Sequence, residues 1–261
     1  MDELYNRSKG LEIKIDNKFA KIVKHYENVK TNTVHLPKSF MDDFYKKIKL
    51  LKDLDRVILS QEKDINTKVK YLRMKCLKLD VMIEQILKLG RGLHYLSDIS
   101  ELSTLLEVFD EELLMSEYTL AVFENGIAPE MSNQDMALYM IDGDERNKKY
   151  TIFSRDMQIC IGEIGYSEIS FGEEMKLNTF YRIFSEFRGN NYALAALNLM
   201  SEGLYQSGIN NLSFLIDSTN VPSIKIVEKF GGIITSQKEG LVSYEANLAQ
   251  IFGNEKSPIG K

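Results

Sequence analysis

Histidine and cysteine are scarce in this 261-residue chain, and where they stand excludes more than their number does. The three histidines, His25, His35 and His94, all fall in the first hundred residues, so everything beyond has no imidazole to serve as a base or bind a metal. The two cysteines, Cys76 and Cys160, are far apart, each inside an apolar periodic segment and neither near another Cys or His at ligand spacing. That excludes a disulfide framework and a Cys/His zinc site, and predicts two reduced core thiols. No apolar run reaches the roughly 20 residues needed to span a bilayer, and residues 1–10 are polar where a signal peptide would carry an apolar core. The expectation is a cytoplasmic protein with no membrane partner. There is no internal repeat and no low-complexity tract.

What is present divides in two. The length exceeds that of most single domains, and a hydrophobic fraction of 44% supports two separate cores. Charge divides as well: residues 1–100 hold 21 Lys+Arg against 14 Asp+Glu, whereas residues 101–261 hold 12 against 24. An acidic carboxy-terminal half concentrates cationic ligands and argues against nucleic acid, though an acidic surface is more simply a soluble one.

The first part reads as helical. Ile65, Val69, Leu72, Cys76, Leu79, Ile83 and Ile86 recur at alternating spacings of four and three, one seam of an α-helix ended by Gly90 and Gly92. Phe40, Phe44, Ile48, Leu51, Leu54 and Ile58 form a second stripe on a segment opened by Pro37. A third helix carries Ile99, Leu102, Leu106, Phe109 and Leu113, with Asp98 or Ser100 as its cap, and a shorter helix over 17–28 precedes them all. Short turns at Gln61 to Asp64 and Gly92 to Ser97 suit an antiparallel bundle or coiled-coil hairpin. The seam reads either as the inside of a local three-helix bundle, the favoured case, or as a surface for a homodimer or a partner helix. Lysines flanking it, Lys68, Lys70, Lys75 and Lys78, read as a solvated face.

Glu124-Asn125-Gly126 and Ala128-Pro129 break the pattern, giving a helical domain over 1–128 and a second domain over 129–261. Beyond the break the period becomes alternating. Met136 to Ile141 is a candidate early strand, Tyr150 to Ser154 and Ile159 to Tyr166 a hairpin around Arg155 to Gln158, and Asn178 to Phe184 a third strand. A helix over 191–206 stopped by Gly208, a strand over 211–216, a helix over 222–230 and strands over 232–235 and 242–247 complete an α+β pattern.

Two segments carry chemistry. Glu186-Phe187-Arg188-Gly189-Asn190-Asn191-Tyr192-Ala193 follows a strand and opens a helix, where unpaired backbone N–H groups and the helix dipole favour phosphate, Gly189 admits close approach and Arg188 adds charge. Such a turn is by itself a weak signal. Its position and a second segment, Asn220-Val-Pro-Ser-Ile-Lys-Ile-Val-Glu-Lys-Phe-Gly231, raise it. The first resembles the acetyl-CoA pyrophosphate loop of the GNAT acyltransferase superfamily, Arg/Gln-x-x-Gly-x-Gly/Ala. The second is similar to that family's Asn-x-x-Ser/Ala-x-x-x-x-Glu-Lys-x-Gly-Phe, in the style of the ribosomal-protein alanine and spermidine acetyltransferase branch. Ile161-Gly-Glu-Ile-Gly also resembles the family's central strands.

The resemblance covers residues 150–252 and implies an N-terminal all-α domain followed by a GNAT mixed sheet flanked by helices. It implies acetyl-CoA as cofactor, and a primary amine on a small molecule or peptide as acceptor. Phe187, Arg188, Gly189, Asn190, Asn191, Tyr192, Ala193, Asn220 and Ser223 are the implied cofactor-binding residues. Four departures stand out: Asn191 replaces the usual Gly, Val227 the Tyr that protonates the leaving thiolate in many members, and Gly232 the usual Phe. The first strand and two helices that normally shape the acceptor cleft are not evident before Tyr150.

Transfer from a thioester to an amine needs an uncharged nucleophile, a stabilised oxyanion and a protonated leaving thiolate. With no imidazole in this half, Glu163 is the preferred base acting through water, ahead of Glu168; a Glu on such a strand is as often simply solvated or ion-paired. Ser223 is the candidate donor to sulfur, weighed equally against a helix-start hydrogen bond. Asn220 binds cofactor or ends its strand. Tyr166, Tyr181 and Tyr192 read as packing residues. The alternative from another class is a non-catalytic acyl-CoA-binding regulatory module with a helical interaction domain, prompted by Asn191 and Val227.

Overall fold

The computed structural model describes residues 13–14, 16–25, 27, 38–60, 63–90, 96–144, 146–156, 158–171 and 174–253. Two compact units emerge, one of Met1–Gly126 with Met157–Ile159, the other of Ile127–Asp156 with Cys160–Lys261.

In the first unit, helix α1 includes residues 16–25, and α2 (Lys38–Ile58), α3 (Ile65–Gly90) and α4 (Leu96–Asn125) follow. Asp64 caps α3, its carboxylate accepting from the Thr67 backbone N–H at 2.9 Å and hydroxyl at 2.7 Å. Helix α3 packs against both α2 and α4, and Phe44 meets Phe109 edge-to-face at 5.5 Å. The buried side of α3 is Lys68, Leu72, Lys75, Cys76, Leu79, Met82 and Ile86, while Ile65 is 58% exposed.

Lys68 and Lys75 therefore correct the solvated-face reading: both are buried, and only Lys70 and Lys78 of that set are exposed. Lys75 reaches two carboxylates, Asp55 at 2.8 Å on α2 and Glu112 on α4, and Lys18 on α1 lies 2.7 Å from Glu112 and 3.7 Å from Asp55. Two cations and two anions thus sit together in the core, each unaffordable alone but balanced as a set. Asp98 and Ser100 are not caps, since α4 already begins at Leu96. Pro37, Gln61 and Glu62 of the first expected turn and the Gly92–Tyr95 part of the second lie outside the described residues.

The second unit is one eight-stranded sheet in the order β1-β2-β3-β4-β5-β6-β8-β7. Its strands are β1 (Met131–Ser132), β2 (Met136–Gly143), β3 (Asn147–Ser154), β4 (Ile159–Phe171), β5 (Glu174–Ile183), β6 (Asn211–Asp217), β7 (Ile233–Lys238) and β8 (Leu241–Asn247). Helices α5 (Tyr192–Gln206), α6 (Val221–Phe230) and the short α7 (Leu248–Phe252) complete it. Among the described residues of 127–184 there is no helix, so β2 passes directly into β3 through the Asp144 turn, whose carboxylate accepts from the N–H of Arg146 and Asn147. The β4 and β5 strands run on well past Tyr166 and start well before Asn178, a longer hairpin than alternation alone marks out.

Direct partners in a ladder share a face. Glu163 opposes Arg182, and Asn178 opposes Ser213, so Glu163, Arg182, Asn178 and Ser213 lie on one face. Ile164 opposes Tyr181, and Phe214 opposes Tyr244, on the other. Helix α6 covers this second face: Phe214 packs on Phe230, Tyr244 donates to Glu228 at 3.3 Å, and Tyr181 donates to the Ser223 carbonyl at 3.1 Å. Two glycines permit the central pairing, because a Cβ on Gly162 would lie 2.3 Å from the Arg182 oxygen and one on Gly165 2.2 Å from the Lys148 oxygen.

Candidate active site

The sheet is continuous except at one seam. Strands β5 and β6 are its parallel pair, joined by the α5 crossover, and their ladder has the single bridge Asn178↔Ser213. Beyond it, towards Ile183 and Asp217, no further bridge joins the two strands, and we call this unpaired stretch the wedge. Ser213 closes the apex by donating its hydroxyl to the Leu177 carbonyl at 3.1 Å. Asn178 Oδ1 and Thr179 Oγ1, also at the apex, are buried with no hydrogen-bond partner among the described residues. Buried oxygens in that condition are costly unless a ligand or water serves them.

At the open end of the wedge the chain turns through a short 3₁₀ segment (Ser185–Phe187) into α5. Gly189 has φ +83° and Asn191 φ +60°, two left-handed residues in one turn, a backbone pattern of the kind that forms N–H anion cradles. A left-handed Asn is among the few non-glycine residues that bear this backbone well, which accounts for the departure from glycine at position 191. Nothing lies within 4 Å of where a Cβ on Gly189 would stand, so the cradle opens to solvent. Asn190 ties the turn down through its amide to the Phe187 and Arg188 carbonyls, and Arg188 Nε donates to the Ile183 carbonyl at 2.9 Å, holding its charge at the mouth. Phe187 and Ala193 turn their side chains into the core, leaving only backbone to offer a ligand. The first N–H groups of α5, beginning at Tyr192, have no intrahelical acceptor by geometry.

The wedge's other lip is the start of α6. Asn220 is its N-cap, its Oδ1 accepting from the Ser223 N–H at 3.3 Å, and Pro222 occupies the first turn. Asn220 thus caps α6 rather than ending β6, which stops at Asp217, and Ser223 is half-buried. Val227 is fully buried, and a Cβ on Gly232 would stand 2.5 Å from its Cγ1, which explains why glycine follows Gly231 in this chain.

Glu163 and Glu168 do not converge with these groups. Glu163 is on the opposite face from Tyr181, its carboxylate 2.7 Å from Lys149, and Glu168 lies further along β4, 3.5 Å from Arg146. Tyr181, a packing residue by the sequence pattern, instead bonds from β5 to the Ser223 carbonyl on α6. Its signal in the sequence was only its place two residues before the strand end, and no spacing rule shows which side of a seam a strand residue will face. Burial pushes its hydroxyl above the ordinary tyrosine range, against the Ser223 hydrogen bond, which lowers it. Both cysteines are free and buried, their thiols pushed by burial up to about 11 for Cys76 and about 12 for Cys160, and so not nucleophiles.

A parallel pair joined by one bridge, with a left-handed turn opening a helix beside it, suits a phosphate-bearing ligand. The GNAT acetyltransferase domain model matches residues 98–233, more than half of the sequence, and the chain belongs to that family. No curated protein matches it by sequence. Among solved structures it is similar to a putative acetyltransferase from Acinetobacter baylyi, at 18% identity over 40% of this chain and 64% of that one, TM-score 0.34. It is also similar to the spermidine/spermine N-acetyltransferase SpeG from Vibrio cholerae, at 11% identity over 43% of this chain and 74% of that one, TM-score 0.37. A third is the Campylobacter jejuni N-acetyltransferase PseH in complex with acetyl coenzyme A, at 14% identity over 40% and 70%, TM-score 0.34. The chain spans less than two thirds of the Acinetobacter protein's length.

Acetyl-CoA is the acyl donor of the family, and the residues present fit it. The open cradle at Gly189 and the partnerless oxygens at the wedge apex are features an internal packing role does not account for. No described helix is long and apolar enough to cross a membrane.

Proposed function

We propose that residues 129–261 form an N-acetyltransferase domain that moves the acetyl group of acetyl-CoA to a primary amine on a small molecule or peptide. The observation that carries this reading is the single Asn178↔Ser213 bridge of the parallel pair, with the left-handed turn at its open end. Backbone N–H groups of Gly189 to Ala193 hold the diphosphate, with Arg188 adding charge, and Asn220 and Ser223 border the arm of the cofactor. Bound acetyl-CoA supplies an activated acyl carbon.

The two faces divide the remaining work. Glu163 faces the side opposite α6, where an amine can approach, and takes the amine proton through water in competition with Lys149. Ser223 lies on the α6 side, where sulfur leaves. The acidic balance of residues 101–261, 12 basic against 24 acidic, favours a cationic acceptor.

Thiol release from acetyl-CoA across a panel of polyamines, amino sugars and peptide amines tests the proposal, run beside thermal shifts with CoA. Turnover with one class supports it; no thermal shift at millimolar CoA overturns it. The second reading, a non-catalytic acyl-CoA-binding module, is favoured by one observation: the position where many relatives carry the proton-donating tyrosine is the fully buried Val227. Binding without turnover across the whole panel would select it.

A further inference from the structure

The burial of Val227 leaves the departing thiolate without the family's usual proton donor, and the fold closes that position to any replacement. Its side chain is fully enclosed, with Gly232 packed against it so closely that even a Cβ there would overlap Val227 Cγ1 at 2.5 Å. A tyrosine at 227 has no room to reach the wedge without displacing that contact. A different phenol stands at the seam. Tyr181 is three residues past the single β5–β6 bridge, on the face covered by α6, and its hydroxyl reaches from β5 to the Ser223 carbonyl on α6 at 3.1 Å.

We propose that Tyr181 is the proton donor to the leaving sulfur, a role moved in this chain from helix α6 to strand β5. The assignment rests on the acetyltransferase reading above. Tyr244 gives its hydroxyl to Glu228 and Cys160 is sealed in the core, while the Ser223 hydroxyl assists as a second hydrogen-bond donor to sulfur without giving up its proton. The Ser223 carbonyl orients the phenol while the sulfur carries no charge. When the amine nitrogen bonds to the acetyl carbon, the carbon–sulfur bond breaks and leaves its electron pair on sulfur. Tyr181 then turns its O–H from the neutral carbonyl to the stronger acceptor and gives up the proton. The phenolate is restored by the proton that the acylated nitrogen sheds through water, so the sum is amine plus thioester to amide plus thiol. Burial, which disfavours the phenolate, keeps Tyr181 protonated at neutral pH until a thiolate faces it.

The test uses the full chain with CoA itself and needs no acceptor. A neutral phenol donating to sulfur favours bound thiolate, so the bound thiol should titrate at lower pH than free CoA, followed by thiolate ultraviolet absorbance. In Tyr181→Phe the midpoint should rise by about one pH unit, a tenfold change in acid dissociation. Identical midpoints in the two proteins, both binding CoA, would overturn the assignment and leave the family reading standing. A purely structural Tyr181 would lower the melting temperature without moving the midpoint. As a variant that keeps both ring and hydroxyl, site-specific fluorotyrosine at 181 should lower the midpoint further, because its phenol is the stronger donor; no movement overturns the proposal. Failure of the unaltered protein to bind CoA overturns the acetyltransferase reading and this assignment with it.

Discussion

Replacing Lys75 by methionine puts the four-charge cluster of the helical unit to a quantitative test. Lys75 is 2% exposed and bonds both Asp55 and Glu112, so its removal leaves two buried carboxylates sharing the single ammonium of Lys18. Methionine fills nearly the same volume, which keeps the cavity contribution small and isolates the uncompensated charge. Breaking a buried pair from one side costs about 3–5 kcal/mol, against a total stability on the order of 5–15 kcal/mol for a domain.

The geometry also says which second change relieves the cost. Lys18 is 2.7 Å from Glu112 but 3.7 Å from Asp55, whose Oδ2 has no hydrogen-bond partner among the described residues. Adding Asp55→Asn therefore leaves the better pair intact and the core neutral, and should recover roughly 1–3 kcal/mol of the loss. Urea denaturation followed by far-ultraviolet circular dichroism, reading the helical transition, measures both variants. A single variant that loses less than about 1 kcal/mol, or a double variant no more stable than the single, would show that the charges are hydrated and independent, and the reasoning would fail.

The remaining predictions are briefer. Burial raises the Glu112 carboxyl, but the Lys18 and Lys75 ammoniums outweigh it and hold it below the usual range. Its contribution is thus present above the unfolded glutamate value near ~4.3 and lost as pH falls through the lower folded value; in Lys75→Met the loss should begin at higher pH, seen as an earlier acid transition. Acetyl-CoA at about 100 times its dissociation constant should stabilise the second unit by about 2.7 kcal/mol, read as a thermal shift; Gly189→Val, which forces a branched residue to φ +83°, should abolish most of that shift. Ser223→Ala should lower turnover several-fold while leaving CoA affinity nearly unchanged, because a contact to sulfur strengthens only as charge develops there; unchanged turnover removes Ser223 from the chemistry. Gly165→Ala should destabilise the sheet by about 1–3 kcal/mol in denaturant titration, since its methyl would meet the Lys148 oxygen and the Phe180 ring.

Several elements were legible because their cause is local. The turn at Gly189 and Asn191, the helix start at Pro222, and the strands β3, β4 and β8 each depend on residues a few positions apart, where backbone sterics and side-chain type decide. The α3 seam was half legible. Leu72, Cys76, Leu79 and Ile86 are buried as their spacing indicates, but Lys68 and Lys75 join them and Ile65 does not. A lysine at such a position is stable only if carboxylates come to it, and those of Lys75 arrive from 20 and 37 residues away.

Where helix gives way to sheet, which turn can cradle an anion, and which family the second half resembles were all readable from the order of residues, because those depend on short-range sterics and spaced motifs. It took the folded chain to show that β5 and β6 share one bridge, that Glu163 and Tyr181 look to opposite faces, and that Val227 is closed off while Tyr181 bonds to Ser223. Which strands pair, and where the pairing stops, depends on residues brought together from 35 to 42 positions apart. No local propensity carries that information, because the free energy that selects the register is realised only once both strands and the helix covering them are in place.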